Sequence, residues 1–427
     1  MTNITVIGAG KMGLPLACQF ATRGGNVVAC DIRQSVVEAI NRGECPIDEP
    51  GVRELLKSVV QAGRLRATSD IATAVAASSV VVVIVPVLLT PDSDANLSII
   101  ESVTRKVATS LRPGTMVCYE TTLPVGTTRR LAIIIEEGGL SAGRDFDVVF
   151  SPERVKSQFV LEHLERNTKV VGGLTPEGGA RAAEFYATYL GAQTADVGSP
   201  EAAELVKLAG MVYRDVTIAI SNEIARYAEV VGVDIHRILP VINTDGEAAL
   251  LAPGIGVGGH CAPVYPHFVI RDGERRNLQM PMTRLGRRVN DEQAAWAINR
   301  LEQAWRPVRD EDVLVLGLGF RPQVKEHICS SSFLISSTLR ERGAHVLLDD
   351  ALYSDEEIRL YGFDPASIDD RRLPPAIVLS TAHDPYHRLD MKDLARRGVE
   401  AVVDGRAIWR PDEARAAGLV YVGVGCP

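Results

Sequence analysis

One local pattern limits this chain more than any other. An apolar run, Ile4–Ile7, leads into Gly8-Ala9-Gly10-Lys11-Met12-Gly13 and then into a helical pattern. A strand feeding a helix through GxGxxG is the turn of a dinucleotide-binding βαβ unit. The first glycine allows the tight turn, the second lets backbone approach a pyrophosphate, and the third lets helix and strand pack closely. The pyrophosphate is expected over free N–H groups at the helix N-terminus. A second strand ends at Asp31, 18 residues past Gly13, where a ribose-binding carboxylate belongs. An acid there favours NAD, because it repels a 2′-phosphate, and Arg33 two residues on keeps NADP open. Gly8, Gly10, Lys11, Met12, Gly13, Asp31 and Arg33 are the expected cofactor residues.

The rest of the first half extends that unit. Val27–Ala29, Val80–Val85, Met116–Tyr119 and Val148–Phe150 read as strands, with helical stretches such as Leu14–Arg23 and Ser35–Arg42 between them. Gly24 and Gly43 stand where helix C-caps are wanted. From about Glu201 to Val230 turn signals vanish, which predicts one long helix with apolar residues on more than one face. A Gly-rich stretch, Pro253 to His260, and a further helical region follow. The alternation restarts at Asp312, with strands at Val313–Leu316, His345–Leu348, Ala376–Leu379 and Ala401–Val403. Ser331–Arg342 reads as a helix closed by Gly343. The expected fold is α/β: two Rossmann-like doubly wound domains joined by a long central helix and a helical connector. The expected divisions are 1–200, 201–304 and 305–427. The second glycine turn, Gly317-Leu318-Gly319, lacks a third glycine, so a sheet serving another ligand is expected there.

Composition removes several function classes. The formal net charge is −8, with no basic excess to suggest nucleic acid. The longest apolar run, Val80 to Leu89, is interrupted by Pro86 and is too short to cross a membrane. No basic region precedes an apolar stretch at the N-terminus, so a soluble cytoplasmic protein is the expectation. Seven cysteines, an odd number scattered through the chain, do not form a disulfide framework. One of them, Cys261, lies in Gly256-Val257-Gly258-Gly259-His260-Cys261-Ala262-Pro263. Glycine density of this kind means backbone approaching something closely, and a thiol set there either meets a substrate or is a small buried side chain. Lys207 lies among apolar neighbours on the long helix. It is either solvated or a desolvated cation able to stabilise an oxyanion. No metal is expected.

Together these segments resemble the UDP-glucose/GDP-mannose dehydrogenase family, closest in style to its UDP-N-acetylmannosamine branch. The likeness runs through Glu49-Pro50-Gly51 and Thr121-Thr122-Leu123-Pro124-Val125-Gly126-Thr127-Thr128, similar to STVPPGTT. It continues through Ser151-Pro152-Glu153-Arg154-Val155, similar to SPERV, and through the helix Glu204 to Glu223. Gly256 to Pro263 resembles GVGGHCxP, and Val403-Asp404-Gly405-Arg406 and Tyr421–Gly425 also fit. The resemblance implies oxidation of a nucleotide sugar's C6 alcohol to a carboxylate by two NAD-dependent hydride transfers. It implies Cys261 as nucleophile, Lys207 as oxyanion stabiliser, and Glu153 and Thr122 managing protons and an ordered water. It also places Thr122 near the cofactor and implies a homodimer formed through the central helix.

The departures from the family pattern cluster on the substrate side. Tyr265 stands where the family has an aspartate four residues past its cysteine. Met211 stands where it has an asparagine four residues past its lysine. Asp245-Gly246-Glu247 falls where this branch of the family has a substrate-contacting arginine, which reverses the charge, and Ile328 stands in place of an arginine that helps hold the nucleotide. Tyr265 is neutral near pH 7, and Met211 cannot donate a hydrogen bond. Three readings stay open. The chain is an NAD-dependent oxidoreductase with a rebuilt site for a small molecule, nucleotide-linked or not, that stops at a two-electron product or finishes the oxidation by different means. Or it is an ordinary four-electron UDP-sugar dehydrogenase giving a uronate. Or it is a catalytically inactive cofactor- or partner-binding relative.

Overall fold

The computed structural model describes residues 2–427. Two compact units are present. One holds the chain up to Gly210 together with His267–Arg276, and the other holds Met211–Pro266 and Asn277–Pro427.

The first unit is built on an eight-stranded sheet. Its strands are β1 (Asn3–Ile7), β2 (Asn26–Cys30), β3 (Leu65–Thr68), β4 (Val80–Val83), β7 (Met116–Tyr119), β8 (Asp147–Phe150), β9 (Lys169–Gly173) and β10 (Thr194–Asp196). A separate hairpin, β5 (Leu88–Leu89) with β6 (Ala95–Asn96), follows β4. The sheet order is β10-β9-β8-β7-β4-β1-β2-β3. The centre is β-branched and sealed on both faces: all four valines of β4 are buried, as are Ile4, Val6 and Ile7. Helix Gly13–Thr22 packs over β2, its face Leu14, Leu16, Ala17 and Phe20 wholly within the core.

The parallel, doubly wound sheet expected from the alternation is present with one reversal, for β9 pairs antiparallel with β8. Lys169 at the start of β9 is tied by its ammonium to Glu120, just past the C-terminal end of β7, at 2.6 Å. That pair pins the start of β9 at the C-terminal edge of the sheet, from which the strand runs back down. β3, β9 and β10 have no counterpart among the expected strands, and β4 stops at Val83, short of Val85.

The second unit contains a six-stranded, fully parallel sheet: β11 (Asp312–Leu316), β12 (His345–Asp349), β13 (Asp364–Pro365), β14 (Ala376–Leu379), β15 (Ala401–Asp404) and β16 (Val420–Gly423). Its order is β13-β12-β11-β14-β15-β16. Helix Ser331–Glu341 starts at Ser330, whose hydroxyl accepts from the Ser332 N–H, and ends before Gly343.

The long helix is Pro200–Val230, 31 residues. Proline opens it at a position with no N–H to lose. One side buries Ala203, Glu204, Lys207, Leu208, Asp215 and Asn222, while Tyr213, Ile220, Tyr227 and Val230 stand exposed. No helix among the described residues is long and apolar enough to cross a membrane.

Candidate active site

The glycine turn has the shape a dinucleotide needs. A Cβ on Gly13 would lie 1.8 Å from the Gly8 carbonyl oxygen, so no other residue lets helix and strand meet this closely. A Cβ on Gly10 would meet nothing within 4 Å, which leaves that side open for a ligand's approach. No side chain caps the N-terminus of helix Gly13–Thr22, and its first turn carries no acid. Its N–H groups therefore point to where a pyrophosphate would sit. Lys11 and Met12 complete the turn, both half-buried. Asp31 follows β2, and its carboxylate accepts from the Arg33 N–H at 2.9 Å and the Arg33 guanidinium at 3.2 and 3.3 Å. Arg33 thus folds onto the acid instead of standing off as a separate anion-binding charge. These residues fit NAD.

Further along the same unit, β7 ends in the threonine-rich segment. Thr121 donates to the Val85 carbonyl at 2.7 Å, and Thr122 is buried. Helix Thr127–Glu136 begins at Gly126 without a cap of its own. Its cap comes from the long helix. The Glu204 carboxylate accepts from Gly126 N–H at 2.6 Å, Thr128 N–H at 2.8 Å and Thr128 Oγ1 at 2.7 Å. Burial pushes this carboxyl up to about 7, against those three donors, which pull it down. One turn further on, Lys207 is buried and donates from Nζ to the Glu153 carbonyl at 2.5 Å. Glu153 is half-buried, and its carboxylate accepts from the Val155 N–H. Beneath this segment, the Glu153 N–H donates to the Glu120 carbonyl, while the Glu120 carboxylate is held by Lys169 and by Tyr186 at 2.8 Å. Thr122, Glu153 and Lys207 thus belong to one unit, and two buried acids brace the segments that carry them.

Glu204 and Glu120 were not singled out from the sequence. The available signal for Glu204 was a carboxylate three residues before Lys207 on an apolar helix, a spacing that puts both on one face.

The thiol lies in the other unit. Cys261 stands on the turn before helix Tyr265–Arg275, and the Tyr265 N–H donates to its carbonyl at 2.9 Å. The loop ahead of it is walled by the segment after β11. A Cβ on Gly258 would lie 2.7 Å from Phe320 Cβ, and the Gly259 N–H donates to the Ile328 carbonyl at 2.9 Å. Arg406 donates to the Gly256 carbonyl at 3.3 Å and to Ser331 Oγ at 3.0 Å. All seven cysteines are thiols. Burial pushes Cys18, Cys30, Cys118 and Cys426 up to about 12, so those four stay protonated. Cys261 is half-buried, with Tyr265 beside it.

The other departures separate. Ile328 lies against the Cys261 loop through its carbonyl. Glu247 is exposed on a turn of its own, where the Asp245 carboxylate accepts from the Glu247 and Ala248 N–H groups. Met211 is half-buried on the long helix, one turn past Lys207. At the second glycine turn, the Leu318 and Gly319 N–H groups donate to Asp350 at 2.6 and 3.0 Å. His383 Nε2 lies 3.2 Å from the same oxygen. An internal carboxylate therefore takes the place that a phosphate has in a dinucleotide turn.

Comparison with known proteins agrees with this geometry. Residues 2–190 match the NAD binding domain of the UDP-glucose/GDP-mannose dehydrogenase family, and residues 201–292 match its central domain. The UDP-N-acetyl-D-mannosamine dehydrogenase of Salmonella typhi is 30% identical over 430 residues, covering 96% of this chain and 99% of that protein. The NDP-N-acetyl-D-galactosaminuronic acid dehydrogenase of Ralstonia solanacearum is 30% identical over 424 residues, covering 95% and 96%. The solved UDP-D-ManNAc dehydrogenase of Pyrococcus horikoshii superposes with a TM-score of 0.89 at 29% identity, over 99% of each chain. The chain belongs to the UDP-glucose/GDP-mannose dehydrogenase family and is an NAD-dependent dehydrogenase.

Proposed function

We propose that this protein oxidises the primary alcohol of a nucleotide-linked sugar through a Cys261-linked intermediate, in a substrate site changed from the family pattern. The observation that carries the reading is the placing of Cys261. Four of the seven thiols are held protonated in the core, whereas Cys261 sits half-buried on a glycine-walled turn at the start of a helix.

Bound NAD supplies the hydride acceptor, and Gly8, Gly10, Lys11, Met12, Gly13, Asp31 and Thr122 hold it. The residues then divide the work. Glu153 and Thr122 orient the alcohol and a water and move the alcohol's proton. After the first hydride leaves, the Cys261 thiolate adds to the aldehyde carbon, and the new oxyanion is stabilised by the Lys207 ammonium. Loss of a second hydride, which a fresh NAD would accept once the first NADH has left, gives a thioester, and water cleaves it to the carboxylate and the free thiol. Met211 withdraws one donor from that oxyanion. Tyr265 withdraws a carboxylate from the hydrolytic water, so thioester cleavage is the step under most strain. Asp350 fills the second glycine turn and Ile328 is apolar, so the substrate's nucleotide is held elsewhere than that turn.

A second reading, an ordinary four-electron dehydrogenase, is favoured by 30% identity spread over the full length of the relatives. Turnover of a panel of UDP-sugars, GDP-mannose and unlinked alcohols separates them: the ordinary enzyme oxidises a UDP-sugar with no build-up of enzyme-bound acyl group, whereas in the changed site the Cys261 thioester accumulates. Two NADH per product supports complete oxidation, and one supports arrest at the aldehyde. No turnover with any alcohol, despite measurable NAD binding, makes the chain a non-catalytic relative.

A homodimer is part of this proposal. Tyr213, Ile220 and Tyr227 recur at seven-residue spacing along one exposed face of the central helix, with Val230 beyond them 79% exposed. An apolar stripe of that regularity is a surface for a second helix of the same kind. A cytoplasmic setting fits seven unpaired thiols.

A further inference from the structure

The segment that walls the Cys261 loop, residues 320–330, brings charge as well as bulk. Gly258 and Gly259 lie against the Phe320 side chain, and the Gly259 N–H donates to the Ile328 carbonyl, so the two segments run against each other. His260, immediately before Cys261, places Nδ1 3.6 Å from Glu326 Oε2. The Glu326 side chain is 11% exposed and that of His260 48%. A carboxylate this enclosed attracts an imidazolium more strongly than one in open water does.

A second imidazole stands in the same segment. His327 packs against Tyr361 with ring centroids 3.9 Å apart. Burial holds His327 toward its neutral form, and His260 pushes the same way, against the pull of Glu326. Glu326 and His327 are titratable groups of this segment that interact with His260. Of the two imidazoles it is His260 whose Nδ1 stands within ion-pair reach of Glu326, so a proton on that ring is the one the carboxylate favours.

We propose that Glu326 is a positioning residue for the nucleophile: it holds His260, as a cationic ring, beside Cys261. The proposal rests on the reading of Cys261 as nucleophile. A cation beside a thiol favours the thiolate, the form that attacks and leaves, and the proton released passes to solvent.

The test is iodoacetamide alkylation of the full chain, followed at the Cys261 peptide by mass spectrometry between about pH 6 and about pH 9. Glu326→Gln is expected to move the midpoint of the Cys261 profile upward by about half a pH unit, an alkylation rate about threefold lower near neutrality. Glu326→Asp restores most of that rate, and His260→Asn reproduces the loss. Cys45, in the other unit, serves as the internal control and keeps its rate, and NAD affinity stays unchanged in each variant. Identical Cys261 profiles in the wild type, Glu326→Gln and His260→Asn overturn the proposal. So does a shift in Glu326→Gln alone, because the charge then acts without His260. Failure of the nucleophile reading shows differently: Cys261→Ser keeps full turnover, whatever the alkylation profiles report.

Discussion

Gly10 and Gly13 share one turn, but the structure assigns them different tasks, and substitution by alanine separates those tasks. At Gly13 the new Cβ would lie 1.8 Å from the Gly8 carbonyl oxygen and 2.9 Å from Ile84 Cγ2. Ordinary contact begins near 3.4 Å, so the helix start must move by about 1.5 Å against backbone that has nowhere to go. Overpacking of this kind costs about 1–3 kcal/mol, and rigid neighbours put Gly13→Ala near the upper end. For a unit of this size that lowers Tm by about 6–12 °C. At Gly10 the Cβ would meet nothing, and the backbone is not left-handed, so Gly10→Ala should leave Tm within about 2 °C. The methyl does, however, occupy the approach of the pyrophosphate. NAD affinity should fall at least about tenfold, or 1.4 kcal/mol. Calorimetry and NAD titration of both variants make the comparison. Gly10→Ala that binds NAD like the wild type refutes the pyrophosphate cradle, and Gly13→Ala with unchanged Tm refutes the packing argument.

Other consequences can be measured independently. Glu204 titrates near 7 when folded, above its ordinary 4.5, so the folded state holds an extra proton between those values. Its contribution to stability is present below about pH 4.5 and is lost as pH rises through 7, by up to about 3 kcal/mol. Urea unfolding of wild type and Glu204→Gln at both ends of that window should show a stability difference that changes with pH; a constant difference contradicts the burial argument. Lys207→Met should lower kcat by about 10²–10³ while leaving NAD affinity intact, and an unaltered kcat removes the oxyanion role. If the proposed homodimer forms through the central helix, Ile220→Glu with Tyr227→Glu should give a monomer in light scattering, and a dimer that persists places the interface elsewhere.

Local signals reached far into this fold where the determinants are local. The β1 turn, the strand Met116–Tyr119 and the length of the central helix could all be read because each rests on its own residues. β3 escaped because Leu65-Arg66-Ala67-Thr68 is a short edge strand with an exposed arginine in it. β9 escaped because its start depends on Lys169 pairing with Glu120, 49 residues away. The same limit applies to the site. Cys261 and Lys207 stood out by their neighbours in the chain. Glu204 did not, since its meaning lies in the three donors at residues 126 and 128, nor did Glu326, whose partner is in a distant segment. Departures such as Ile328 could be seen in the sequence, but not that its carbonyl supports the Cys261 loop.

The central claim is that Cys261 carries the substrate. Its most direct measurement is steady-state NADH production by Cys261→Ser beside the wild type, with whichever nucleotide sugar the wild type oxidises. The account predicts that the serine variant still binds NAD but yields at most one hydride per substrate, with no carboxylate formed. Wild-type turnover and carboxylate formation by Cys261→Ser would contradict it.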